Sequence, residues 1–209
     1  MRLKTLTLIL SSLLLVACSN PAADKSRAVT GEASSATPQS SASAEKYVIN
    51  PQNSKIEFLA SQVTGSHQGE FQDFSGVIDY AGQPEKSRVN LTINTASVKA
   101  DADKLTEHLK TADFFDVAKF PQAIFTSTEI KSGGDKGASH TITGNFQLHG
   151  ITKSISFPAT ISVTPEAINV ESTFSINRRD FGINYAGPTD NLIRDDVVMS
   201  LHIKAGKGK

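Results

Sequence analysis

The side chains best suited to catalysis or metal binding are scattered along this sequence of 209 residues. No two histidines have the i, i+4 spacing of a zinc pair on a helix; they are His67, His108, His140, His149 and His202. The sequence has neither a Gly-x-Ser-x-Gly nucleophile elbow nor a glycine-rich phosphate loop. Solvated charges explain the closely spaced carboxylates better than acid–base catalysis does: Asp113 with Asp116, and Asp195 with Asp196. We therefore predict that the chain is not an enzyme and carries no metal or other cofactor.

Three arginines surround a loop that contains glycine and proline. Arg178 and Arg179 precede residues 182–188, and Arg194 follows them. A guanidinium at this place could bind a phosphate or a quinone oxygen. A salt bridge to a neighbouring aspartate is the alternative.

Cys18, the only cysteine, lies directly behind an apolar run near the N-terminus. The run, residues 6–16, follows two basic residues, has the length of a signal-peptide core and is too short to span a bilayer. The letters LVAC that end at Cys18 resemble the bacterial lipobox, whose cysteine is acylated and becomes the first mature residue. We predict a lipoprotein signal peptide at 1–17 and a palmitate-type anchor on Cys18; an ordinary secretory signal is the alternative. Ser19 after the cysteine favours the outer membrane, facing the periplasm.

Residues 18–45 differ in composition from the rest of the chain. They are rich in serine and alanine and contain no aromatic residue, so they cannot bury enough apolar surface to offset the entropy of ordering them. We predict a disordered tether, about 30 Å from end to end as a flexible coil, that leads to one folded domain at 46–209. The 21 basic and 21 acidic residues include no basic run, so nucleic acid is not a predicted partner.

Apolar residues recur at alternate positions in eight stretches of the predicted domain, which indicates strands with one buried face. The stretches are 56–60, 74–80, 89–93, 123–125, 142–148, 151–163, 168–176 and 197–203. Residues 149–150 fit a two-residue hairpin that would place Leu148 opposite Ile151. In that register Lys153 lies opposite Phe146, where it would point inward near the rim or mark a bulge.

One segment has helical character. Asp101 or Asp103 can cap its start, and Leu105, Leu109 and Ala112 form a narrow apolar stripe. Two adjacent phenylalanines follow and suggest a segment folded over something apolar. Eight antiparallel strands can close as two sandwiched sheets or as one barrel, and alternation alone does not choose between them.

Four stretches are similar to the YceI-like family and occur in the family's order: GEFQDFSG (69–76), TEHLKTADFFDVAKFPQAIF (106–125), ITGNFQLHGITK (142–153) and RRDFGI (178–183). The resemblance implies an all-β fold, an eight-stranded antiparallel lipocalin-like barrel with one short α-helix closing an end. It also implies a periplasmic protein whose apolar interior receives a polyisoprenoid chain, such as a polyprenyl lipid or a quinone tail. A homodimer is compatible with the resemblance.

Inward positions of the predicted strands form the expected lining of the cavity, with plain core packing as the alternative at each. The predicted lining residues are Phe58, Phe74, Ile78, Leu91, Ile93, Phe125, Phe146, Leu148, Phe157, Phe174 and Ile176. The predicted lid residues are Leu105, Leu109, Phe114 and Phe115. A lipid headgroup is expected near His108 or Arg179. For His108 the alternative is a hydrogen bond that fixes the end of the helix, and for Arg179 it is a salt bridge.

These residues predict a membrane-anchored carrier or reservoir that binds an isoprenoid lipid or quinone. A passive envelope or stress lipoprotein with a self-filled barrel is the alternative.

Replacing the predicted anchor, Cys18→Ser, is expected to move the protein from the membrane fraction to the soluble fraction, because the acyl chains attach through the thiol. Cell fractionation and immunoblotting measure the shift, with Ser19→Ala as the control that stays in the membrane fraction. Unchanged membrane association of Cys18→Ser, with no acylated N-terminal peptide in mass spectra of the unsubstituted chain, would contradict the prediction.

Overall fold

The structure is a computed structural model that describes residues 20–35 and 44–208. The predicted signal peptide and Cys18 lie outside the described residues. The strands, in chain order, are β1 (Ser26–Arg27), β2 (Val29–Glu32), β3 (Glu45–Ile49), β4 (Lys55–Ser61), β5 (Ser66–Phe71), β6 (Phe74–Tyr80), β7 (Arg88–Asn94), β8 (Val98–Ala100), β9 (Gln122–Ser132), β10 (His140–Leu148), β11 (Ile151–Val163), β12 (Ala167–Asn177) and β13 (Asp196–Lys207). Helix α1 (Asp103–Leu109) lies between β8 and β9, and a short 3₁₀ turn, Arg178–Phe181, follows β12. Within these residues, no helix has the length and apolar character needed to cross a membrane.

The sheet closes on itself as an eight-stranded antiparallel barrel. Three of the barrel strands are bent into two halves, β3 with β4, β5 with β6, and β7 with β8. Strands β9 to β13 follow as single strands, each paired with the next. Closure comes from β13, which pairs with β3 at Gly206 and Lys207 and with β4 over residues 198–202. The predicted barrel is therefore confirmed, and the sandwich alternative is wrong.

Each of the eight predicted stretches lies in a different barrel strand, but three half strands were not recognised in the sequence. These are β3, β5 and β8; β5 is mostly polar, with Phe71 as its buried residue, and β8 has three residues. Strand β9 has a bulge at Thr128, where the register with β10 shifts. Because of that extra residue, the buried residues Ser127 and Ile130 are three positions apart instead of two.

The turn between β10 and β11 has the predicted two-residue form. His149 and Gly150 have φ angles of 51° and 76°, and two positive φ values are typical of the type I′ turn that matches strand twist. Leu148 pairs with Ile151, which confirms the predicted register.

Helix α1 differs from the prediction at both ends. Ala102 is the N-cap and makes no side-chain cap hydrogen bond, so the predicted caps Asp101 and Asp103 are wrong. The Asp101 carboxylate instead lies 2.8 Å from Nδ1 of His67 on β5. The helix ends at Leu109, before Ala112 of the predicted apolar stripe, and turns follow it.

Residues 20–35 have a defined position on the barrel, although the sequence predicts a disordered tether there. β1 pairs in parallel with β12, and β2 pairs antiparallel with β11. Between them, Ala28 is buried and its N–H donates to the Ser175 carbonyl over 2.8 Å. The prediction of disorder is wrong for these residues, because hydrogen bonds to sheet edges can dock a backbone whose side chains bury little apolar surface.

Glycines on the inner face of the barrel make room for aromatic rings. A Cβ atom at Gly144 would lie 2.4 Å from the Phe125 ring, so only glycine lets that ring lie across the strand. The Phe157 and Phe174 rings are stacked, with centroids 4.3 Å apart and planes 10° apart. These rings form part of the wall of the candidate site.

Candidate functional site

The barrel interior holds a narrow apolar cavity that consists, in the described part of the chain, of three adjoining lobes. The central lobe has a volume of about 90 Å³. The lid lobe, which lies under α1 and the turns after it, has a volume of about 100 Å³. Both lobes are bordered by Ile93, Phe146, Ile176 and Met199. A far lobe of about 20 Å³ adjoins the other side of the central lobe, so the cavity follows the length of the barrel.

Ten of the eleven predicted lining residues border the central lobe or the lid lobe. They are Phe58, Ile78, Leu91, Ile93, Phe125, Phe146, Leu148, Phe157, Phe174 and Ile176. Phe74 is buried, but it belongs to the packed core and not to the lining. The strand alternation therefore identifies most of the cavity wall.

Other lining residues were not among those predicted. Ile49 lies on β3, a half strand that was not recognised. Ile183 and Ile193 lie in the loop between β12 and β13, which has no periodic pattern. Met199 has the inward spacing of β13 and could have been identified from it.

The lid lobe is closed by three of the four predicted lid residues. Leu109, Phe114 and Phe115 border it, whereas Leu105 packs against the core without bordering it. The Phe115 ring meets the Phe71 ring of β5 at a centroid distance of 5.5 Å. The lid is therefore packed onto the barrel wall.

His108 holds the lid from the outside. Its Nε2 atom lies 2.8 Å from Oδ2 of Asp113, beyond the end of the helix. Its ring makes edge contacts with Phe114 and Tyr185, each with a centroid distance of 5.0 Å. His108 does not border the lobe, so the geometry favours the hydrogen-bonding role at the helix end, and contact with a headgroup stays a prediction.

Arg178 is the charged residue among those that line the three lobes. Its Nη1 donates to the Ile183 carbonyl over 2.7 Å, and its Nη2 lies 3.1 Å from Oδ1 of Asp195. Further bonds reach the carbonyls of Ile193 and Arg194. Burial lowers the pKa of the Arg178 guanidinium, and the nearby Asp195 charge opposes that shift. The buried guanidinium thus ties the loop between β12 and β13 to the barrel wall.

Arg179, the predicted headgroup contact, lies on the outside. Its side chain is exposed, and its Nε lies 2.6 Å from Oδ1 of Asp195. This salt bridge to a neighbouring aspartate is the alternative to a headgroup contact that the sequence analysis gives for the arginines. Arg179 does not border the cavity.

Titratable side chains do not form a metal centre in the described residues. No group of three or more histidine, cysteine, aspartate or glutamate side chains in residues 20–35 and 44–208 could hold a metal ion.

Comparison with known proteins places the chain in a family. The model of the YceI-like domain matches residues 47–205. The chain belongs to the YceI-like family. UPF0312 proteins of Pseudomonas savastanoi pv. phaseolicola and Pseudomonas syringae pv. tomato are each 35% identical to it over 166 residues, which cover 75% of this chain and 85% of each relative.

Solved structures share the fold of this YceI-like domain. BcnA of Burkholderia cenocepacia has a TM-score of 0.67 at 20% identity and covers 75% of this chain and 99% of its own. The Campylobacter jejuni YCEI protein has a TM-score of 0.59 at 26% identity, with 68% of this chain and 85% of its own covered. A polyisoprenoid binding domain from Saccharophagus degradans, implicated in plant cell wall breakdown, has a TM-score of 0.63 at 16% identity and covers 79% of this chain and 99% of its own.

The four stretches that resemble YceI-like proteins meet at the lid lobe. Each contributes side chains to its lining, although the stretches are far apart in sequence. These side chains are Phe71 from the first stretch, Leu109, Phe114, Phe115 and Ala123 from the second, Phe146 and Leu148 from the third, and Arg178 and Ile183 from the fourth. All four stretches therefore contribute to the walls of one end of the cavity.

Arg178→Met is expected to lower the free energy of unfolding by about 3 kcal/mol, because buried carbonyls and Asp195 lose their donor. Arg179→Met removes an exposed partner of the same carboxylate and should cost less than about 1 kcal/mol. Urea denaturation followed by circular dichroism compares the two variants. If both variants lose the same small amount of unfolding free energy, the buried guanidinium does not hold the loop.

Proposed function

We propose that this chain binds the hydrocarbon chain of an isoprenoid lipid, a polyprenyl or quinone tail, inside its barrel, as a membrane-anchored periplasmic carrier or reservoir. The observation that carries the proposal is the cavity, two adjoining lobes of about 90 and 100 Å³ that are lined by aliphatic and aromatic side chains. Arg178, the charged residue in the lining, already donates to carbonyls and to Asp195. The interior therefore suits a ligand that needs no hydrogen bonds.

The lining of the cavity favours a branched hydrocarbon chain. Each buried methylene contributes about 0.8 kcal/mol, so a few isoprene units outweigh the cost of ordering a flexible chain. The stacked rings of Phe157 and Phe174 and the neighbouring isoleucines offer flat and branched surfaces for its methyl groups. A polar headgroup would remain at the lid end, near Arg178 and His108.

The shared fold supports the same class of ligand. The Saccharophagus degradans domain is a polyisoprenoid binding domain, and its TM-score to this chain is 0.63. At 16% identity the likeness concerns the fold, so the argument for this chain rests on its own cavity.

The alternative, a passive envelope lipoprotein, requires a barrel filled by its own side chains. The central and lid lobes are each much larger than the ~10–15 Å³ that a cavity needs to hold one water. Leaving such apolar space empty costs roughly 2 kcal/mol for each lobe. A bound hydrocarbon chain would recover that stability, which favours a ligand over an empty interior.

The location at the membrane is a proposal from the sequence. Cys18 and the signal peptide carry it, and they lie outside the described residues. An anchor at Cys18 would keep the cavity beside the bilayer in which isoprenoid lipids dissolve.

Phe146→Asp is expected to lower binding of a tritiated prenyl quinone at least tenfold, because Phe146 borders both lobes and a buried carboxylate cannot be solvated there. Gln147→Asp, one residue away and outside the lining, should bind nearly as the unsubstituted chain does. Equilibrium binding is measured beside a thermal melt of each variant.

Phe146→Trp is the second test, because the larger apolar ring narrows the same junction without burying a charge. If the unsubstituted chain binds no prenyl quinone, the proposed function is wrong. If folded Phe146 variants bind normally, the ligand lies elsewhere.

A further inference from the structure

The barrel wall has a lateral gap between β11 and β12. These strands pair at four positions, from Thr160 opposite Glu171 to Val163 opposite Ile168. Both strands continue toward the lid end, β11 from Ile151 and β12 to Asn177, without ladder pairs between them there. One side-chain hydrogen bond, from the Ser172 hydroxyl to the Pro158 carbonyl, joins the two strands just beyond the last pair. By contrast, β10 and β11 pair at nine positions over the same part of the wall. We call this gap the seam.

The seam is filled by residues 26–32 of the N-terminal segment. Ser26 and Arg27 pair with β12, and Val29 to Glu32 pair with residues 156 to 153 of β11. The Ala28 N–H donates to the Ser175 carbonyl over 2.8 Å. The segment is thus an extra strand, parallel to one neighbour and antiparallel to the other.

The inserted strand lies behind residues of the cavity wall, and its own residues do not border the three lobes. Ile155 on one side of the seam, and Phe174 and Ile176 on the other, border the central lobe. Thr30 pairs with Ile155, and Ser26 pairs with Phe174. If the strand leaves, only the stacked rings of Phe157 on β11 and Phe174 on β12 remain between the seam and the central lobe, whereas the lid stays packed over the barrel end.

The strand is held mainly by its backbone and buries little apolar surface. Ala28 is 5% exposed and belongs to the core, whereas its neighbour Val29 is 73% exposed. Side-chain ties on the strand are a hydrogen bond from the buried Ser26 hydroxyl to the Asp135 carboxylate and two ion pairs at the surface, Arg27 with Asp196 at 3.2 Å and Glu32 with Lys153 at 2.8 Å. Segments with few buried apolar contacts open at much lower free energy than the whole fold. Release of this strand can therefore occur while the barrel stays folded.

We propose that the seam is the entry portal of the lipid chain and that residues 26–32 are a releasable strand that closes it. The proposal rests on the proposed function, since it concerns access to the same cavity. The strand precedes residues 47–205, the part that matches the family model, so the proposed closure lies outside the matched part of the chain.

The position of the strand suits exchange with a membrane. Ser26 lies eight positions after Cys18, a distance of at most about 28 Å of extended chain. With Cys18 acylated as predicted, the seam would be held close to the bilayer. A prenyl chain could then pass sideways into the barrel.

Locking the strand tests the portal. In the full chain, Val29→Cys with Ser156→Cys places two thiols on directly paired residues across the seam. Uptake of a tritiated prenyl quinone from phosphatidylcholine vesicles should be at least tenfold slower in the oxidised form than in the reduced form. The amount bound at equilibrium should be the same in both forms, because the cavity itself is unchanged.

The control is Thr173→Cys with Ser200→Cys, which links β12 to β13 within the permanent wall. Its oxidation should leave the uptake rate unchanged. Equal uptake rates for the oxidised and reduced seam pair would overturn the portal. Absence of bound quinone in every form would instead overturn the proposed function, and the portal with it.

Loosening the strand gives the opposite change. Ala28→Glu puts a charge at the buried position and should speed uptake several-fold without lowering the melting temperature of the barrel, whereas Val29→Glu, at the exposed position, should change neither. An unchanged rate for Ala28→Glu, with residues 26–32 shown by limited proteolysis to be released, would also overturn the portal.

Discussion

Strand β13 closes the barrel, because it pairs with β12 on one edge and with β3 and β4 on the other. An open sheet would leave unpaired N–H and C=O groups along two edges. Closure satisfies them and turns alternate side chains of every strand toward one interior. The stacked Phe157 and Phe174, the lobes beside them and the lid above them all depend on that closure. The same requirement explains the N-terminal strand, which satisfies the edges where β11 and β12 separate.

Much of this arrangement could be predicted from the sequence, because a closed sheet imposes a simple period. Alternation located part of each barrel strand and most of the cavity wall, and the turn at 149–150 set the register of β10 and β11. Alternation did not identify the strands whose local apolar pattern is weak. Polar β5 and three-residue β8 lack a recognisable apolar face, and the bulge at Thr128 shifts the pattern within β9. The choice of a barrel over a sandwich came from the family resemblance, since both architectures have the same alternation.

Two parts of the site could not be derived from composition or period. The loop between β12 and β13 takes its shape from Arg178, whose guanidinium donates to carbonyls at both ends of the loop, those of Ile183, Ile193 and Arg194. Sequence reasoning chose the neighbouring Arg179 as the headgroup contact, although Arg179 lies outside the cavity. The N-terminal strand has the composition of a disordered tether and docks through its backbone. Side-chain patterns contain little information about such docking.

The central claim is that the barrel interior is a site for an isoprenoid chain. Its most direct test is to purify the full chain from its native membrane under mild conditions, extract it with organic solvent and analyse the extract by mass spectrometry. We expect nearly one lipid molecule per folded protein. The fragment ions of that lipid should differ in mass by isoprene units. An extract of the folded protein without any isoprenoid, or with straight-chain lipids in its place, would contradict it.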